Sequence, residues 1–259
     1  MCLINLHLQE HPNYKLIVIA NRDEFYERPT APANFWEDKP EILAGRDLLE
    51  LGTWIGVTEQ GRFAAVTNFH DQTQKPSIND KISRGKIVTS YLKDDISPQS
   101  YLETLHKNKD MYEGFNVILG NEEELFYYNN IEMEITKISA GTHGVSNDTL
   151  NSPWPKVTKG KQRLREYIMN QEVIGANMLF DILADNEQAE DSDIPETGLD
   201  IELERTLSPI FIKTPDYGTR SSTVIFIDND NYLTFVERTY QHGHFVRDNR
   251  YSFRINHKK

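Results

Sequence analysis

The sequence of 259 residues carries a formal net charge of −12, which argues against a nucleic-acid-binding protein because phosphate contacts need clustered lysine and arginine. Hydrophobic residues make up 38% of the chain, enough to bury a sizeable core, yet no apolar run approaches the ~20 residues that cross a bilayer. The single cysteine excludes an intramolecular disulfide and a cysteine-based zinc site. No pattern typical of a secretory leader opens the sequence, so a cytoplasmic protein without membrane insertion is expected.

Two β-hairpins are predicted in the first part of the chain, from period-two alternation and from short apolar runs. Their strands are residues 2–8, 14–20, 53–58 and 62–69. The segment 21–47 between the hairpins is rich in proline and charge and is predicted to be an ordered loop. Its aromatic side chains either line an apolar pocket or belong to the core; they are Phe25, Tyr26, Phe35 and Trp36.

The rest of the chain is predicted as helices, strands, helices and strands, in that order. One helix begins near Ser83, and the next begins at Pro98 with Ser97 as its N-cap. Strands at 115–120, 124–130 and 133–139, a loop at 140–155, helices at 156–170 and 175–186 and strands at 221–228, 232–240 and 250–256 complete the prediction. The acidic stretch 185–204 is predicted to be a solvated loop with a short helix.

This order lacks the regular βαβ alternation of a doubly wound parallel sheet. The pattern fits an α+β fold, in which two mainly antiparallel sheets lie between helical layers. No internal repeat, linker or change of composition divides the sequence. A single domain, 1–259, is therefore predicted.

Several kinds of site are not supported. The histidines are scattered, and the one tight pair, in HGH (242–244), is predicted to lie on the surface. The glycine patterns of phosphate and dinucleotide loops are absent from the sequence. Ser83 and Lys86 form a Ser-x-x-Lys pattern, but Ser83 is better explained as a helix cap. No metal and no cofactor are expected.

The only cysteine is Cys2. A lone cysteine is usually a small buried apolar side chain, and a strand at 2–8 allows that interpretation. Removal of Met1 would instead make Cys2 the N-terminal residue, whose α-amine has a reference pKa of ~7.7–8.0 and lies on the same Cα as the thiol. Such an amine is a ready base for the thiol. Position alone leaves both interpretations open.

Polar side chains at other predicted strand ends favour the second interpretation. Arg22 and Asp23 follow the strand 14–20, where a guanidinium would favour a thiolate and a carboxylate could orient an amine. Asn68 ends an apolar strand and Asn147 lies in a glycine-containing loop, and side-chain amides can donate to an oxyanion. Arg220 stands at the start of a predicted strand. Each alone is explained by loop chemistry, but together with the cysteine they indicate one pocket.

The same stretches resemble a known family. In chain order they are MCLI, ANRDEFYERPT, ILAGRD, GTWIGVT, GRFAAVTNF, GTHGVSND, SPWPKV and YGTRSST. This ordered set is similar to the NRDE family, the family of the transport and Golgi organisation protein 2. That family in turn resembles N-terminal nucleophile (Ntn) hydrolases of the bile-salt hydrolase, penicillin V acylase and acid ceramidase kind. The resemblance implies a four-layer αββα sandwich and cleavage of a non-peptide amide C–N bond.

The resemblance also implies roles for individual residues. Cys2 would be the nucleophile and its α-amine the base, Arg22 and Asp23 would hold the thiolate and the amine, Asn147 and Asn68 would form the oxyanion hole, and Arg220 would support the nucleophile. In those hydrolases the aspartate typically follows the arginine by three positions, whereas Asp23 follows Arg22 at once. Asp23 and Glu24 therefore compete for the carboxylate role.

Two functions follow from the resemblance. The first is a cytoplasmic cysteine hydrolase acting on a small amide. The second is a non-catalytic carrier or chaperone that handles haem or an acyl metabolite of lipid or coenzyme A metabolism. A small-molecule substrate or ligand is expected in either case, and the sequence does not indicate an oligomeric state.

Overall fold

The computed structural model describes residues 2–70, 81–195, 197–198 and 200–256. The chain divides into two compact units, which consist of residues 1–27, 140–146 and 150–252 for the first and 28–139, 147–149 and 253–259 for the second. Each unit contains one β-sheet with its own helices. The predicted α+β fold class is confirmed, and the single-domain organisation stays a prediction.

The described residues form strands and helices with the following bounds. The strands are β1 (Cys2–Leu8), β2 (Tyr14–Phe25), β3 (Thr30–Trp36), β4 (Lys39–Asp47), β5 (Ile55–Thr58), β6 (Phe63–Asn68), β7 (Phe115–Gly120), β8 (Leu125–Asn129), β9 (Ile135–Lys137), β10 (Gly141–Val145), β11 (Tyr217–Asp228), β12 (Tyr232–Gln241) and β13 (His244–Arg254). The α-helices are α1 (Gly85–Lys93), α2 (Pro98–Lys107), α3 (Pro155–Ile168), α4 (Ala176–Leu183) and α5 (Ile201–Leu207).

The first unit is built on a six-stranded sheet with the order β10-β1-β2-β11-β12-β13. Its strand pairs β1–β10, β1–β2, β2–β11 and β11–β12 are antiparallel. Leu3 of β1 and Ile19 of β2 pack in one buried cluster with Val157 and Leu164 of α3 and with Phe180 of α4. Helices α3 and α4 therefore cover one face of this sheet.

The second unit is built on a seven-stranded sheet whose strands follow chain order from β3 to β9. Helix α1 packs on β5 and β6, and helix α2 packs on β8. Within this sheet a buried polar network joins neighbouring strands, because Tyr127 donates to Asn116 (2.7 Å) and Asn116 donates to Thr67 (3.1 Å). No helix in the described part of the chain is long and apolar enough to span a membrane.

The prediction of a loop at 21–47 is wrong. Strand β2 continues to Phe25, whose backbone pairs with Tyr217 of β11. The rest of the segment forms the antiparallel pair β3–β4. The charged residues and prolines of this segment are typical of a loop. The structure forms strands instead, because the backbone N–H and C=O groups pair with those of a neighbouring strand.

The predicted loop at 140–155 is wrong in its first part, because residues 141–145 form β10 and pair with β1. Gly144 is required there, since a Cβ atom would come within 2.4 Å of Asn5 Oδ1. The glycines that resemble a loop in the sequence instead allow close packing.

One of the two predicted helix caps is confirmed and the other is wrong. Ser97 is the N-cap of α2, and its hydroxyl accepts from the backbone N–H of Ser100 at 3.2 Å, as predicted. Ser83 is not the cap of α1, because this helix begins at Gly85 after Arg84 and has no side-chain cap. The aromatic residues of 21–47 also divide, since Trp36 is buried and Phe25 is exposed.

Candidate active site

Cys2 lies at the end of the first unit's sheet, where three neighbouring strands align polar side chains. Cys2 of β1 is directly opposite Arg22 of β2, and Arg22 is opposite Ser221 of β11. Residues that are directly opposite share a face of the sheet. The backbone C=O of Cys2 is fixed by the Ser146 hydroxyl, which donates to it at 2.8 Å. Cys2 and Arg22, predicted to meet, are therefore brought together.

Arg220 lies within β11, so its predicted place at a strand start is wrong. Thr219 pairs with Asp23 and Ser221 pairs with Arg22, which leaves Arg220 as the extra residue of a β-bulge. Bulges re-aim side chains and are common beside active sites. Partial burial and the like charge of Arg22 lower the pKa of Arg220. Its guanidinium donates to the backbone C=O of Phe25 at 2.7 Å. The bulge thus places a second arginine close to Arg22.

Asp23 is the buried carboxylate of this group, with 3% of its surface exposed. The Thr219 hydroxyl donates to Asp23 Oδ1 at 2.7 Å, and the Tyr217 hydroxyl donates to the Asp23 backbone C=O at 3.1 Å. Burial raises the pKa of Asp23, although the positive charges of Lys156 and Arg22 oppose that shift. Sequence reasoning did not find Thr219 or Tyr217, which have no chemical signature of their own.

Glu24, the rival of Asp23 for the carboxylate role, is placed differently. Its carboxylate lies 3.8 Å from the Arg22 guanidinium, and its side chain is 27% exposed. It also accepts from the backbone N–H of Phe25 at 2.9 Å. Glu24 is therefore a half-exposed neighbour of Arg22, and Asp23 is the carboxylate inside the buried cluster.

The surroundings of the Cys2 thiol both raise and lower its pKa. Burial raises the pKa of the Cys2 thiol, and the negative charge of Asp23 raises it further. A hydrogen bond from the Asp23 backbone and the positive charge of Arg22 lower this pKa. Because even an unperturbed thiol has a pKa of ~8.5, the resting group is a thiol at neutral pH. Cys2 can react once a base removes its proton.

Lys156, the second residue of α3, is a member of this cluster that sequence reasoning missed. Its side chain is 3% exposed, and its pKa is lowered by burial while the charges of Asp23 and Cys2 raise it. A lysine in the first turn of an amphipathic helix normally reaches solvent. The sequence therefore gave no signal for its burial.

The two predicted asparagines lie in the second unit, and they lie together. Asn68 ends β6, and Asn147 is buried. The Asn147 side-chain amide donates to the Asn68 backbone C=O at 3.0 Å, and the Asn147 backbone C=O accepts from the backbone N–H of His70 at 2.7 Å. The oxyanion role of Asn68 and Asn147 stays a prediction.

Two further expectations concern metals and the chain start. Among the described residues, no three His, Cys, Asp or Glu side chains are grouped in a way that could hold a metal ion. Met1 lies outside the described residues, so its removal stays a prediction.

Comparisons with known proteins address the family and the fold. Residues 1–242 match the family model described as Transport and Golgi organisation 2. The chain is 33% identical over 259 residues to the Transport and Golgi organization 2 homolog of Mus musculus, with 92% of this chain and 93% of the relative covered. It is 32% identical over 260 residues to the Homo sapiens homolog, with the same coverage of each.

Solved hydrolase structures share the fold. One is a cysteine-to-alanine variant of the conjugated bile acid hydrolase of Clostridium perfringens, with a TM-score of 0.54, 11% identity and coverage of 98% of this chain and 97% of that one. The other is an arginine-to-leucine variant of the same hydrolase, with a TM-score of 0.53, 10% identity and coverage of 99% and 98%. The Ntn-hydrolase-like fold predicted from the sequence is confirmed.

Proposed function

The chain belongs to the Transport and Golgi organisation 2 family, and on that premise we propose that it is a cytoplasmic cysteine hydrolase of a small non-peptide amide. The observation that carries the proposal is the placement of Cys2. Its thiol lies opposite Arg22 and receives a hydrogen bond from the Asp23 backbone, where the buried Asp23 carboxylate and Arg22 guanidinium meet. Charged groups buried around a nucleophile are typical of active sites.

The proposed reaction has two stages. After removal of Met1, the α-amine of Cys2 takes the thiol proton, and the sulfur attacks the substrate carbonyl carbon to form an S–C bond. The C–N bond then breaks, and the departing nitrogen receives the proton from the α-amine. Water, deprotonated by the same amine, attacks the thioester and releases a carboxylic acid and free Cys2.

The neighbouring residues have separate roles in this scheme. Arg22 stabilises the negative charge on sulfur, because a nearby cation favours the thiolate. Asp23, held by Thr219, is the carboxylate that would orient the α-amine. Arg220, set by its bulge close to Arg22, adds positive charge to the same region.

The test is a search for a covalent acyl adduct on the only cysteine of the chain. Wild-type protein and the Cys2→Ala variant are incubated with a library of small N-acyl amides, and their intact masses are recorded. We expect an acyl mass increment, with release of the amine, in wild type and not in Cys2→Ala. The same spectra report whether Met1 is present, and full retention of Met1 on the acylated protein would rule out the free-amine mechanism.

The result that overturns the proposal is equally concrete. If no amide of the library acylates wild type, and Cys2→Ala binds small acyl ligands and haem as well as wild type does, then the carrier alternative is favoured. If an amide is hydrolysed at the same rate by Cys2→Ala, then Cys2 is not the nucleophile.

A further inference from the structure

The first turn of α3 brings Lys156 beside the start of β1. Gly160 of the same helix allows this close approach, because a Cβ atom at that position would come within 2.3 Å of Asn5 Nδ2 on β1. Lys156 lies four residues before Gly160 and therefore on the same helix face, one turn nearer the helix start. The next residue, Val157, is in the core cluster with Leu3. This packing carries the lysine side chain under the protein surface.

The ammonium group of Lys156 is unusual in its surroundings. Its Nζ atom is fully buried and has no hydrogen-bond partner in the described part of the structure. Burying a charge without hydrogen bonds is costly, so opposite charges are needed to keep it. The charges of Asp23, Cys2 and Glu204 favour the charged form of Lys156 in this way. Glu204 is itself buried, although it belongs to the acidic stretch predicted to be solvated.

Negative charges near Cys2 oppose formation of the thiolate, and a nearby cation would offset them. A thiolate at Cys2 would form beside the Asp23 carboxylate, and two neighbouring negative charges repel. Arg22, a further cation beside Cys2, also faces the carboxylate of Glu24. Among the described residues, the titratable groups around the cysteine are Arg22, Asp23, Glu24, Tyr26, Lys156, Glu204, Tyr217 and Arg220.

We propose that Lys156 is a positioning residue of the cysteine site, whose buried ammonium stabilises the Cys2 thiolate against the Asp23 carboxylate. The inference deepens the proposed function, on which it rests for its biological meaning, but its chemistry concerns only the ionisation of Cys2. A cation supplied by α3 acts whether or not Met1 has been removed. The site therefore has a means of favouring the thiolate that is separate from the α-amine.

The test measures the reactivity of Cys2 and needs no substrate. Because the chain has one cysteine, the rate of its alkylation by iodoacetamide can be followed by intact mass as a function of pH. We expect Lys156→Met to move the alkylation profile to higher pH and to lower the rate at pH 7 about tenfold, which corresponds to one pKa unit. Lys156→Arg, which keeps the charge, should lie between wild type and Lys156→Met.

A matched control lies on the same helix. Lys161 is half-buried, and its Nζ donates to Asn151 Oδ1 at 2.7 Å. Lys161→Met removes the same charge without touching the cysteine cluster, so its alkylation profile should match that of wild type. A Lys156→Met profile that superimposes on those of wild type and Lys161→Met would overturn the proposal.

A second comparison keeps the test valid if Lys156→Met does not fold. It also removes the Asp23 carboxylate, which could otherwise take up a proton and so offset the loss of the Lys156 charge. The double variant Asp23→Asn/Lys156→Met is compared with Asp23→Asn alone. A shift to higher pH in the double variant supports a direct effect of Lys156 on Cys2, and no shift refutes it. Absence of an acyl adduct would refute the proposed hydrolase while leaving this result intact.

Discussion

The dipeptide Arg-Asp occurs three times in the sequence, and two of its copies, Arg22-Asp23 in the first unit and Arg46-Asp47 in the second, have opposite electrostatics. Burial raises the pKa of Asp23. Partial burial acts in the same direction on Asp47, but hydrogen bonds from Arg28 and from backbone N–H groups outweigh it and lower the pKa of Asp47. The Arg28 Nε atom donates to Asp47 Oδ2 at 2.5 Å.

The two arginines differ in the same way. Arg46 donates two hydrogen bonds to the Asp38 carboxylate, at 2.6 and 2.9 Å, and lies 4.2 Å above the centre of the Trp36 ring. Arg22 is buried near the like charge of Arg220. The Arg46-Asp47 copy thus makes well-paired structural contacts. The Arg22-Asp23 copy holds its charges where they oppose stability, as active sites do.

The largest expected effect comes from neutralising the buried cluster. We expect Asp23→Asn/Lys156→Met to raise the free energy of unfolding by about 1–4 kcal/mol, because buried charges often stabilise a protein less than neutral groups of similar size. Urea unfolding of wild type and the double variant measures this difference. A double variant that is less stable than wild type would show that the cluster is a structural ion pair, like those of the second unit.

The matching change in the second unit should have the opposite sign. Asp47 accepts backbone N–H bonds from Leu49 (3.0 Å) and Glu50 (2.9 Å) as well as the bond from Arg28. Asp47→Asn removes the charge from these bonds, and we expect a loss of about 1 kcal/mol in the free energy of unfolding, since solvent screens a partly exposed pair. The same urea titration tests it, and a gain of stability would remove the contrast between the two dipeptides.

The contrast also explains what could be predicted from the sequence. The β1–β2 hairpin and helices α2, α3 and α4 were predicted because alternation, apolar periodicity and a helix cap are local signals. Strand β2 was cut short at residue 20 because the partner of its polar half, β11, is distant in the sequence. The sequences NRDE (21–24) and GRD (45–47) contain charged residues, but they do not show whether a neighbouring strand will bury those charges.

For the site, too, local patterns could be predicted and contacts between distant segments could not. The sequence predicted one pocket that contains Cys2, Arg22, Asp23, Asn68, Asn147 and Arg220. The structure brings Cys2, Arg22, Asp23 and Arg220 together in the first unit, and the shared pocket with the two asparagines of the second unit stays a prediction. The sequence did not predict the burial of Lys156, which depends on how closely α3 packs on β1. A bulge such as that at Arg220 is likewise a property of two paired strands and not of one segment.

The pH dependence of stability should differ in sign between the two aspartates. Because the pKa of folded Asp23 is raised, its contribution is fully present below the unfolded pKa of ~3.9 and is lost as the pH rises through the folded value. Because the pKa of folded Asp47 is lowered, its contribution is present above ~3.9 and is lost as the pH falls through the folded value.

Thermal unfolding across pH 3 to 7 checks this prediction. Relative to Asp23→Asn, wild type should lose stability as the pH rises above about 4, with a slope of at most 1.36 kcal/mol per pH unit for one proton. Relative to Asp47→Asn, wild type should gain stability as the pH rises from about 3 to 4. Two parallel curves would mean that the charges of the two dipeptides are equally well paired.

The smallest expected effect concerns Glu24, which shares Arg22 with the cysteine site. Glu24→Gln removes a half-exposed negative charge at 3.8 Å from the Arg22 guanidinium, so we expect a change of no more than about 0.5 kcal/mol in the free energy of unfolding. Without the negative charge of Glu24, the positive charge of Arg22 should favour the Cys2 thiolate more strongly and speed its alkylation by iodoacetamide at pH 7 by roughly two- to threefold. A large loss of reactivity would instead assign the carboxylate role to Glu24, because Asp23 and its Thr219 contact are unchanged in this variant.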